Sequence, residues 1–70
     1  MSGQAFTNAD LAKCARREVG LRKRAYPRWI DRGTITAEKA EREIAMMTVI
    51  ADQLERLAEA DKQAQAPTLL

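Results

Sequence analysis

Histidine is absent from this 70-residue sequence, cysteine occurs once, and there is one residue each of Phe, Tyr and Trp. Each shortage removes a class of protein. With no imidazole and only Cys14, the chain has neither the ligands for a structural zinc site nor the pair needed for an internal disulfide. Catalysis suffers from the same shortages: the sole serine is Ser2, Cys14 has no imidazole to activate it, and no glycine-rich phosphate loop is present. The expectation is therefore a non-enzyme without metal or cofactor. Set among Ala and Leu neighbours, Cys14 reads as a small, reduced core residue. Apolar runs are only a few residues long, and MSGQAFTNAD lacks the charged start and hydrophobic stretch of a leader, so the reading expects no membrane segment and a cytoplasmic protein.

A chain this short supports one domain at most, and small domains without disulfides or metals commonly gain stability by oligomerisation. The charge is unevenly placed. Residues 1–33 carry eight Lys and Arg against three acids, and residues 34–70 carry four against seven, so halves of +5 and −3 make up the net +2. A basic first half suits nucleic acid, an acidic protein surface, or the second half of its own dimer.

Residues 1–7 and 63–70 are read as flexible ends flanking an ordered 8–62. Thr7 or Asn8 caps a first helix, predicted over 8–32, with Asp10 in its first turn. Leu11, Cys14, Ala15, Val19, Leu21, Ala25, Tyr26, Trp29 and Ile30 share about half of the helix circumference. Pro27 removes one backbone bond, so the helix either continues with a kink, the favoured reading, or restarts there. Gly33 suits a left-handed helix end, with a turn over 33–36 and Thr36 as the next cap.

In the second helix, predicted over 37–62, Ala37, Ala40, Ile44, Met47, Ala51, Leu54 and Ala58 repeat at three-four spacing, and Ile50 and Leu57 widen that seam. Glu38 with Arg42 and Asp52 with Arg56 are acid-first pairs four apart, as on a solvated face. The predicted fold is all-α: a two-helix antiparallel hairpin that homodimerises into a four-helix arrangement. Its dimer and core residues are Leu11, Ala15, Val19, Ala40, Ile44, Met47, Ile50, Ala51, Leu54 and Leu57. Met46 and Val49 lie outside the seam, as dimer contacts or a docking patch, the former being preferred.

Glu18 and Arg22 interrupt the apolar stripe of the first helix; they form either a partly buried salt bridge that fixes register or part of a binding surface. Residues 22–32 concentrate five of the twelve basic residues with both large aromatics. Arg22, Arg24, Tyr26, Arg28, Trp29 and Arg32 are the candidate partner-binding residues, since Trp, Tyr and Arg dominate protein interfaces. Alternatively, Tyr26 and Trp29 close the core beside the corner. Arg16, Arg17, Lys23, Arg24, Arg28 and Arg32 could also neutralise phosphates, which keeps a small basic nucleic-acid-binding helical dimer as the second reading.

The stretch from Arg16 to Met47 contains Tyr26-Pro27-Arg28-Trp29, then Gly33, Ile35-Thr36, and Ala40 with Glu43-Ile44. It resembles a family of short helical proteins from temperate phages and prophages of proteobacteria that carry a YPRW motif and include a quorum-sensing anti-activator. The resemblance covers nearly half of the chain. It implies a dimer of hairpins in the bacterial host cell that binds a LuxR-type transcription activator and blocks its DNA binding, with the type IV pilus assembly ATPase as a second host partner. Tyr26, Pro27, Arg28 and Trp29 carry over as motif residues.

Overall fold

The computed structural model describes residues 5–65; the expectations for residues 1–4 and 66–70 lie outside these. Two helices, α1 (Asn8–Asp31) and α2 (Ala37–Gln65), pack against each other as a hairpin. Thr7 starts α1 with a reciprocal cap: its Oγ1 accepts from the Asp10 N–H at 3.0 Å, and Asp10 Oδ2 accepts from the Thr7 N–H at 3.2 Å. Helix α1 passes through Pro27 without interruption, so Pro27 is not a new helix start. Its ring is exposed, where water can solvate the Lys23 carbonyl that proline leaves without its helical donor.

At the corner, Gly33 has φ 76°, the Thr34 N–H donates to Trp29 O at 2.8 Å, and the Gly33 N–H donates to Ile30 O at 3.0 Å. This is the paired-bond helix end that a left-handed residue permits. Thr36 Oγ1 then accepts from the Lys39 N–H at 3.1 Å and begins α2. The second helix runs three residues beyond the predicted 62, because Gln63, Ala64 and Gln65 are good helix formers even where apolar periodicity fades.

The core is narrow. Its buried residues are Ala12, Ala15, Val19, Tyr26, Ala40 and Ala51, and the central group of Ala15, Val19 and Ala51 is covered by Met47 and Leu54. Four of the six are alanine, which lets two helices meet closely but buries little area per contact. Ile44 and Ala58 are half-buried along the same seam, while Ala37 is exposed at its start. One expectation needs correction. Ala12, not Cys14, joins the core: Ala12, Ala15, Val19 and Tyr26 share one face, and position 14 is turned away so that Cys14 is exposed. Leu11, Ile50 and Leu57, expected as dimer or core residues, fall outside the contact between the two helices and are exposed in the single chain.

Polar groups tie both edges of the contact. On one edge Arg16 reaches Asp52 at 2.6 Å and Glu55 at 2.7 Å; on the other, Arg22 contacts Glu43. Asp52 thus pairs across the hairpin rather than with Arg56. At the open end Asn8 Nδ2 donates to Asp61 Oδ2 at 2.9 Å. The Cα trace is only 14 Å deep in its thinnest direction, close to one layer of helix. No helix among the described residues is long and apolar enough to cross a membrane.

Candidate functional site

Residues 22–32 form the last turns of α1 and its C-cap, so their surface follows from helical rotation of about 100° per residue. That rotation divides the six candidates among three surroundings. Tyr26 points into the core and is buried, which corrects its reading as a directly presented partner contact. Its ring centroid lies 5.2 Å from that of Trp29, with the planes tilted by 35°. Trp29 remains 40% exposed. Tyr26 therefore acts as a fixed backing for an indole that still offers surface, combining the two alternatives read for this aromatic pair.

Arg22 belongs to the edge of the helix contact. Its Nε donates to Glu18 Oε2 at 3.0 Å, and its Nη1 donates to the Glu43 backbone carbonyl at 3.2 Å and lies 3.6 Å from Glu43 Oε1. The hydrogen bond that Arg22 donates to Glu18, aided by the nearby negative charge, raises the Arg22 pKa above its ordinary value and keeps it cationic. This geometry supports the partly buried salt-bridge reading of Glu18 and Arg22. It also supplies Glu43, a partner the sequence reading missed.

Arg24, Arg28 and Arg32 are exposed, and none forms an ion pair among the described residues. Arg24 and Arg28 share the outer face of α1 with Lys13 and Arg17, four cations within about 22 Å of helix at 1.5 Å per residue. Arg32 caps α1 through its N–H to Arg28 O at 3.0 Å. The candidate site is thus a corner with two adjoining surfaces: a side carrying Arg22 and Trp29, and an outer ridge of unpaired cations.

Arg16 is the most strongly paired cation, with bonds to Glu55 and Asp52 that raise its pKa and, through its hydrogen bond to Glu55, depress that carboxyl below its ordinary value. These bonds commit Arg16 to joining the helices and remove it from the free cationic ridge. A groove of about 700 Å³ opens far from the corner, between the start of α1 and the end of α2, over Ala9, Ala12 and Ala58. It carries charges of both signs, including Lys13, Arg17, Glu59 and Lys62. No family model, curated protein or solved structure matches the chain.

Proposed function

We propose that this chain is a non-enzymatic helical binding protein that pairs with a second copy into a four-helix assembly and docks on a host regulator through its corner. The observation that carries the docking reading is Trp29, half exposed on a buried Tyr26 and followed by the unpaired Arg32. An indole already held in place loses little freedom on binding, and neighbouring guanidinium groups add directional donors. Self-pairing is supported by the single-layer shape and by Leu11, Met46, Ile50 and Leu57, all more than 40% exposed.

On the resemblance of residues 16–47 to the phage family, the proposed partner is a LuxR-type quorum-sensing activator, held in a state that cannot bind its promoter. The pilus assembly ATPase is the second proposed host target on the same ground. Size-exclusion and mobility-shift experiments with activator, its ligand and promoter DNA test this directly. Co-elution with release of the promoter is expected; an activator that neither co-elutes nor releases DNA removes this target. Trp29→Ala and Arg28→Glu should preserve the helical spectrum and weaken capture.

The ridge of Lys13, Arg17, Arg24 and Arg28 favours one second reading, binding to nucleic-acid phosphates. In that case affinity would fall steeply with salt, by a logarithmic slope of about 0.9 for each duplex phosphate neutralised. A shift of naked DNA at physiological salt would establish that reading in place of protein capture.

A further inference from the structure

Leu11, Glu18, Arg22 and Trp29 recur at intervals that keep them on one side of α1. Glu43, Ile50 and Leu57 form a heptad row on α2. Contact of Arg22 with Glu43 sets these two rows side by side, making one broad face of the hairpin. On that face Leu11, Ile50 and Leu57 are exposed toward the open end, and Trp29 is exposed near the corner. Between them lies an ion group of two carboxylates and one guanidinium.

We propose that Glu18, Arg22 and Glu43 form a register key for the self-pairing proposed above, on which this inference rests. An apolar face built from short rows of Leu and Ile accepts several alignments with similar burial. The ion group does not. Its side chains are still partly open to water, at 25% for Arg22, 43% for Glu18 and 33% for Glu43, so covering the face changes their solvation. Arg22 uses Nε and Nη1 within its own chain, while Nη2 has no hydrogen-bond partner among the described residues.

Two carboxylates against one guanidinium leave the group with one net negative charge. An alignment that stacks carboxylate on carboxylate is repelled, and one that buries the group beneath Leu or Ile strands its charge. The alignment selected places Arg22 Nη2 of each copy against a carboxylate of the other, by a two-fold operation that satisfies both copies at once. Apolar residues at these positions would support association without selecting among alignments, as polar residues at packing positions do in coiled coils.

The test uses the full chain with a nitroxide on the exposed Cys14, after confirming that labelling leaves the sedimentation coefficient unchanged. Pulsed dipolar spectroscopy of the wild-type dimer should give one narrow Cys14-to-Cys14 distance. Glu18→Leu, Arg22→Met and Glu43→Leu combined should retain association at least as tight, but split that distance into two or more populations of comparable weight. Glu43→Gln, a near-isosteric change suited to a chain that must stay folded, should add a second population by itself. A single distance unchanged in both variants overturns the register key while leaving self-pairing intact. Several distances in the wild type also overturn it. A monomeric wild type overturns self-pairing and the key together.

Discussion

At the scale of single residues, a few polar side chains decide how the two helices meet. Glu55 receives a hydrogen bond from Arg16 that holds its carboxyl below the ordinary value of 4.5, so its contribution to stability is complete above that value and is lost as pH falls through the lower, folded one. Glu55→Gln is expected to flatten the acid limb of the stability curve below pH 4.5, with little change in its shape at pH 7 to 8. Urea midpoints measured across pH would check this; identical acid limbs in both proteins would contradict it. Gly33 has open space around a built Cβ but a φ of 76°, so Gly33→Ala should cost about 1 kcal/mol through backbone strain alone, measurable as a lower urea midpoint.

At the scale of elements, much of the fold is legible in the sequence. Thr7, Gly33 and Thr36 mark the helix ends because each supplies a local bond or dihedral that a helix end requires. The alanine seam is legible through its spacing, but its centre is not: alanine weighs little in an apolar pattern and cysteine weighs more, which hides Ala12 and favours Cys14. Cross-hairpin partners such as Arg16 with Asp52 are hidden for another reason, since they depend on where the corner sets the two helices. Asp52 looks equally able to pair with Arg56 when α2 is read alone. The Glu18–Arg22 pair is legible because charge interrupts an apolar stripe; Glu43 has no such local signature.

Two substitutions test the elements separately. Ala51 is fully buried in the central group with Ala15 and Val19, so Ala51→Leu should force the helices apart and cost about 1–3 kcal/mol, read from chemical denaturation. Pro27→Ala restores a helical donor at an exposed position within α1 and should raise the melting temperature, while changing partner capture if the proline directs the Trp29 segment. A large loss of stability would show that proline supports the native helix direction.

At the scale of the whole molecule, the balance is between a thin alanine core and a large exposed apolar face. The hairpin alone covers Ala15, Val19 and Ala51 but leaves Ile50 and Leu57 about half exposed. Ile50 is not part of the buried core or of the Met47 and Leu54 cover, and Ile50→Asp should abolish self-pairing by placing an unpaired charge in its interface. Sedimentation equilibrium of the unmodified protein at micromolar concentration tests this account most directly. The prediction is twice the chain mass of 7.8 kDa, reduced to one chain mass by Ile50→Asp; a stable, cooperatively folding species of one chain mass in the unmodified protein would contradict it.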